Sequence, residues 1–217
     1  MDLSSPLQSL IPTMESAVLT VLAGTESPLG QSQIHRLAPR GTRRGLAFAL
    51  DRLVAHGLVV AEPSNHGHLY RLNRDHVLTP AVLGALAARQ EFLRRLADAT
   101  ARLRPVVVSG AVFGSVARRD SGPESDVDLL LVVHDTAQAD SDAWQDQVRA
   151  LEAQVLGWSG NRLETITVTR AHLDELVAES EPVVASWRDD ALTVAGADLR
   201  RLLTPSASRA GRAPTGS

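Results

Sequence analysis

Two apolar runs, joined by a polar stretch that carries an aspartate pair, constrain this chain more than any other feature. Val106 to Phe113 is apolar and ends on Gly114-Ser115. After ten intervening residues comes Asp126, then Asp128, and the apolar run continues to Val133. Runs of this length bounded by turn residues read as buried strands. Alternate residues of a strand face the same side, about 7 Å apart. Two carboxylates on one side of an apolar strand are costly unless they hold cations. Hard oxygen ligands suit Mg²⁺, which normally bridges to substrate phosphates. Gly114 lets the backbone approach a ligand closely. The residues after it can open a helix whose free N–H groups attract phosphate, and Ser115 adds a hydroxyl. The spacing therefore predicts a phosphate cradle facing a carboxylate metal site, the geometry that phosphoryl and nucleotidyl transfer need. The alternative is a loop-to-strand cap, in which Ser125 and Asp126 satisfy backbone N–H groups.

Length and charge set the organisation around this stretch. The 217 residues suit one large domain or two small ones. Aromatics are only 3% of the chain, so its core must be mainly Leu, Val and Ala. The absence of cysteine excludes disulfides, thiolate zinc sites and a cysteine nucleophile. Scattered histidines make a zinc site unexpected. Apolar runs are too short to span a membrane, and Met1-Asp2-Leu3-Ser4-Ser5-Pro6 lacks the basic start and apolar core of a signal peptide. A cytoplasmic protein is expected. Residues 1–103 hold 11 Arg against 8 acidic residues, and residues 104–217 hold 11 Arg against 17. That split predicts two domains with different partners. Arg36, Arg40, Arg43, Arg44 and Arg52 form a basic segment interrupted only by Asp51.

Along the chain, residues 13–23 read as a helix capped by Thr13, with Val18, Leu19 and Leu22 at helical spacing. Gly24 to Gly30 reads as a turn. Residues 31–37 read as a short helix with Ile34 and Leu37 inward, broken by Pro39-Arg40-Gly41. Thr42 caps a third helix reaching about His56, with Leu46, Ala49, Leu50 and Leu53 on one face and Gly57 ending it. Residues 58–62 and 68–72 read as a hairpin around Pro63-Ser64-Asn65-His66-Gly67. Residues 80–103 read as one long helix, in which Leu83, Leu86, Phe92, Leu96 and Leu103 recur. Residues 141–157 read as helical, and residues 163–169 as a strand with Glu164 on the apolar side beside Ile166 and Val168. Short helices are expected over 170–203, with Asp189-Asp190 facing solvent, and a disordered tail over 204–217. Trp144, Trp158 and Trp187 read as core anchors.

The segment from Gln31 to Glu62, QIHRLAP followed by TRRGLAFALDRLVAHGLVVAE, resembles winged helix-turn-helix regulators, with the likeness covering about residues 13–76. The resemblance implies a third helix in the major groove of DNA. Arg43, Arg44 and Arg52 would grip phosphates or read guanine edges, and His66, His68 and Arg71 would lie near the phosphate backbone. A protein-binding or dimerising module is the alternative, with the arginines as solvated surface.

Val112-Phe113-Gly114-Ser115, followed at the stated spacing by Asp126-Val127-Asp128, resembles the motif of the DNA polymerase beta-like nucleotidyltransferase superfamily, especially its minimal members, over about residues 105–170. The resemblance implies that Gly114 and Ser115 contact the triphosphate and that Asp126 and Asp128 bind metal, with two Mg²⁺ bridging them to the phosphates. Arg118 fits the form Gly-Ser-x-Ala-Arg and would help neutralise phosphate; Ser125 joins the nucleotide-binding set. Arg119 stands where Gly is common. Glu164 best matches the third carboxylate, which would also bind metal and help activate the attacking hydroxyl. Its alternative is a strand-end Glu paired with Arg162 or Arg170.

The resulting expectation is an α+β protein: an N-terminal winged helix-turn-helix followed by a small mixed-sheet polymerase-beta-like nucleotidyltransferase domain. The expected divisions are a winged domain over 1–79, a connecting helix over 80–104, a nucleotidyltransferase domain over 105–203 and a tail. The expected partners are an NTP, duplex DNA and an acceptor of unspecified class, protein, RNA or small molecule. A homodimer joined through helix 80–103 is a further expectation. The competing reading is a DNA-binding regulator whose second domain senses nucleotide or is inert.

Overall fold

A computed structural model describes residues 1–38, 41–65, 67–135 and 139–204. Arg40, His66 and the tail beyond Thr204 lie outside the described residues. The chain divides into two compact units, Asp2–Gln90 and Glu91–Ser217, the latter with Met1.

The first unit is built from α1 (Pro6–Leu10), α2 (Met14–Ala23), α3 (Gln31–Leu37), α4 (Arg43–Ala55) and α5 (Thr79–Leu86), with strands β1 (Leu29–Gly30), β2 (Val59–Ser64) and β3 (Gly67–Leu72). The strands form one antiparallel sheet in the order β1-β3-β2. Pro63 lies within β2, opposite His68, and is tolerated because β2 is an edge. Helix α4 starts where Thr42 Oγ1 accepts a hydrogen bond from the Gly45 amide at 3.1 Å. Its inner face, Leu46, Ala49, Leu50 and Leu53, packs with Val18, Leu19, Leu22 and Ile34. Thr13 occupies the N-cap of α2 without capping it; its hydroxyl binds Glu15 instead. Leu37 is 58% exposed rather than inward. Three residues beyond Ile34, it is rotated about 60° around the helix. The short helix α1 and strand β1 are additions to what the sequence pattern predicts.

The apolar pattern over 80–103 belongs to two helices, not one. Helix α5 ends at Leu86 with Ala87 as its C-cap, and α6 (Ala88–Ala101) follows. Val82 is buried in the core of the first unit. Phe92, Leu96 and Leu103 are buried in the chain itself, so those residues form no free dimer seam.

The second unit centres on a mixed sheet of four strands: β4 (Ser109–Phe113), β5 (Val127–Val133), β6 (Leu163–Thr169) and β7 (Leu192–Gly196), in the order β6-β5-β4-β7. Strands β5 and β6 are parallel, and the other pairs are antiparallel. The apolar run before β4 does not all join the strand, since Val106 is 56% exposed. Strand β7 falls where only helices were expected. One face of the sheet receives α8 (Asp142–Ser159), with Trp144 Nε1 donating to Thr167 Oγ1 at 3.4 Å, and Gly110 lies against Thr100 of α6. On the other face, Ala111, Leu130, Val132 and Val168 pack with α9 (Arg170–Glu179), α10 (Pro182–Asp190) and α11 (Leu199–Leu202). Trp144 and Trp187 are buried core residues, and Trp158 is half-buried.

Candidate active site

Strand β4 delivers the chain to Gly114, the first residue of the short helix α7 (Gly114–Arg118). Gly114 has φ +67, a left-handed conformation, and a Cβ there would collide with the carboxylate of Asp128. Two independent constraints therefore require glycine. What approaches its backbone closely in this structure is the Asp128 carboxylate. The turn closes as the Ser115 carbonyl accepts from the amides of Arg119 and Asp120. Arg119 takes the left-handed conformation, φ 64, at the position where the family pattern often has Gly. The turn keeps its left-handed form despite the side chain.

The carboxylates meet through sheet register. Asp128 pairs with Phe113 on one side and with Glu164 on the other. Because β5 and β6 run parallel in that register, Asp128 and Glu164 stand side by side on one face. Burial, then the charges of Glu164 and Asp126, push the Asp128 carboxyl above the usual range, against an opposing pull from Arg118. Glu164 is exposed, and so is Ile166 at 41%; only Val168 on that side of β6 is buried. Glu164 thus shares the face of Val168, Leu130 and Val132, which pack into the core, but sits at its open end. Strand β6 is an edge, and its Glu164 end is left open. Arg170, one of its alternative partners, pairs with Asp174 at 2.8 Å. Among the described residues, no group of three or more His, Cys, Asp or Glu side chains is gathered tightly enough to hold a metal ion. The three carboxylates are neighbours by charge and register without converging on one point.

Arg118 sits beside these acids, held by two others. Its guanidinium donates to Asp190 at 2.7 Å and to Asp120 at 3.2 Å. Asp190, at the end of α10, is thereby drawn from the solvent position expected of it. Ser125 Oγ accepts from the Gly122 amide at 2.8 Å, so its hydroxyl organises the loop before β5. The buried side chain of Asn161 braces the same loop, with Nδ2 donating to the Ser125 carbonyl at 2.9 Å. A recess of about 260 Å³ lies there, lined in part by Ser125, Asp126, Asn161 and Arg162. Asn161 and Asp190 escape sequence reasoning because nothing local marks their contacts.

In the first unit, Arg43 and Arg44 are exposed at the start of α4. Arg52 is paired with Glu15 of α2. Burial pushes the Glu15 carboxyl up, but its hydrogen bonds and Arg52 outweigh this and hold it below the usual range. Arg71 pairs with Glu62 across the hairpin at 2.8 Å. His68 is exposed on β3, its ring 6.3 Å from that of Tyr70. Of the arginines assigned to DNA, Arg43 and Arg44 thus project outward, whereas Arg52 and Arg71 are engaged within the fold.

No helix among the described residues is long and apolar enough to cross a membrane. No curated protein and no solved structure matches the chain. Residues 93–181, the span that holds Gly114, Ser115, Asp126, Asp128 and Glu164, match the family model of the nucleotidyltransferase domain.

Proposed function

We propose that the chain transfers a nucleoside monophosphate from an NTP to an acceptor hydroxyl, and that its first unit is a winged helix that binds duplex DNA. The observation that carries the first part is the packing of Gly114 on Asp128, with Glu164 in register beside it, inside the span that matches the nucleotidyltransferase domain. In the reaction, the acceptor oxygen forms a bond to the α-phosphorus as the bond to the bridging oxygen breaks. Pyrophosphate leaves, and the acceptor proton passes to a carboxylate, a role for which Glu164 is the open candidate. The donor set fits Mg²⁺: it is all carboxylate oxygen, and the charges of Glu164 and Asp126 add to burial in pushing the Asp128 carboxyl up, against the pull of Arg118. Asp126 and Asp128 would hold the metal, with Glu164 as third ligand; when bound, two such ions supply positive charge to the phosphates. Gly114 and Ser115 would line the triphosphate, and Ser125 would keep the adjoining loop in place. Arg118 would reach the phosphates by exchanging its carboxylate partners.

The DNA part rests on helices α2, α3 and α4 followed by the β2–β3 hairpin, with Arg43 and Arg44 exposed on α4. It also supports the competing reading, a regulator whose second unit senses nucleotide without transferring it. Incubation with labelled NTPs and Mg²⁺ in the presence of protein, RNA and small-molecule acceptors separates the two. Label transfer that the Asp126→Asn and Asp128→Asn variants lose is the expected result. Mg²⁺-dependent NTP binding with no transfer to any acceptor would favour the regulator.

A further inference from the structure

Helix α4 buries Leu46, Ala49, Leu50 and Leu53 and turns a different set of residues outward. Outward are Arg43, Arg44 and Phe48, with Asp51 one turn further along. Phe48 is 54% exposed, an unusual position for one of only three phenylalanines in the chain. It is not isolated. The Arg44 guanidinium lies over its ring, 5.5 Å from the centroid, a cation–π contact between residues four apart on one helix face. The pair thus presents a flat apolar ring and a fork of N–H donors side by side.

We infer that Arg44 and Phe48 form a base-reading pair, specific for a guanine close to a thymine in the major groove. The inference rests on the proposed DNA binding and goes beyond it by naming what is read. Charge complementarity selects the occupant: Arg43 and Arg44 lie at the end of this face nearest the start of α4, and among the described residues neither has an acidic partner of the kind that occupies Arg52 and Arg71. The base edges fit the two side chains. A guanidinium matches the O6 and N7 acceptors of guanine, and an apolar ring matches the C5 methyl that thymine alone among the DNA bases projects into that groove. Positions four apart on a helix are about 6 Å apart along its axis. That is roughly two steps of a duplex with about 3.4 Å per base pair, so the guanine and thymine are neighbours or next neighbours. Asp51, further along the face, disfavours phosphate there and limits the reading surface to the first turns of α4.

The test uses the full chain and random duplex libraries made either with thymine or with uracil, which lacks only the methyl group. Bound sequences and salt-dependent affinity are measured for the wild type, Phe48→Ala, Phe48→Leu and Arg44→Ala. The wild type is expected to enrich guanine–thymine steps and to bind the selected site about five-fold more tightly with thymine than with uracil. Phe48→Ala should bind both forms equally while keeping salt-sensitive binding, Phe48→Leu should retain part of the preference, and Arg44→Ala should lose the guanine preference. Equal wild-type affinity for thymine and uracil sites, or a preference unchanged in Phe48→Ala, overturns the inference and leaves DNA binding intact. Absence of salt-sensitive binding to either library overturns both. In that case, a dimer dissociated by Phe48→Ala in sedimentation would assign the face to self-association.

Discussion

Gly114 is the residue at which backbone and side-chain constraints coincide. Gly114→Ala combines a left-handed φ with a collision against Asp128, so it should destabilise the chain by about 2 kcal/mol or more in thermal or denaturant unfolding. The collision depends on the Asp128 carboxylate. In an Asp128→Ala background the cost should shrink toward that of the φ alone, which a double-mutant cycle measures. Arg119 is the complementary case, a side chain in a left-handed position that nothing in the turn requires. Arg119→Gly should stabilise the chain by about 0.5–1 kcal/mol, read as a higher melting temperature. For Asp128 itself, stability and activity should separate. Burial and two neighbouring carboxylates disfavour its charge, so Asp128→Asn should melt no lower than the wild type while transfer falls about 10²–10³-fold.

At the scale of elements, α4 and α6 are set by local chemistry that can be tested separately. The Thr42 cap serves the helix that carries both the inward face of Leu46, Ala49, Leu50 and Leu53 and the exposed Arg43 and Arg44; Thr42→Ala should cost about 1 kcal/mol. In α6, Glu91 receives Arg94 and Arg95 one turn ahead, with Arg94 also reaching Asp98. The hydrogen bonds from Arg94 and then Arg95 pull the Glu91 carboxyl from the ordinary 4.5 down to about 2. A depressed carboxyl contributes stability that is present above its unfolded value and is lost as pH falls through the folded value. Stability from this cluster should therefore hold above about pH 4.5 and decline toward pH 2. Acid titrations of unfolding in the wild type and Glu91→Gln should diverge above that window and converge below it. The boundary between α5 and α6 shows where periodicity misleads. Apolar residues recur through 80–103 without interruption, yet they serve two separately closed helices, because a repeat reports that a face is buried and not which core buries it.

The whole molecule joins a sheet unit rich in acids to a helical unit with exposed arginines. Double substitution of Arg43 and Arg44 by Ala in the full chain should weaken duplex binding and flatten the dependence of log affinity on log salt by about one unit, the share of Arg43 on phosphate, because Arg44 reads a base edge. Gel-shift titrations at several salt concentrations check this. Substituting Arg52 should change the slope less, since its charge is already paired with Glu15.

By itself the sequence determined what depends on near neighbours. Strand β5 lies at the residues its apolar run indicated, β6 at those its alternation indicated, and α4, capped by Thr42, buries the four residues its spacing selected. These follow from periods of two and 3.6 residues and from cap chemistry, which act within a few positions. Tertiary structure alone decided which strand lies beside which, and hence that Glu164 stands next to Asp128. It decided that Arg118 is held by Asp190, seventy-two residues away, that Asn161 braces the loop before β5, and that residues 192–196 complete the sheet as β7. Each is a pairing between distant segments, settled by which edges and faces remain uncovered once the elements have formed, and the local pattern of either segment carries no record of its partner.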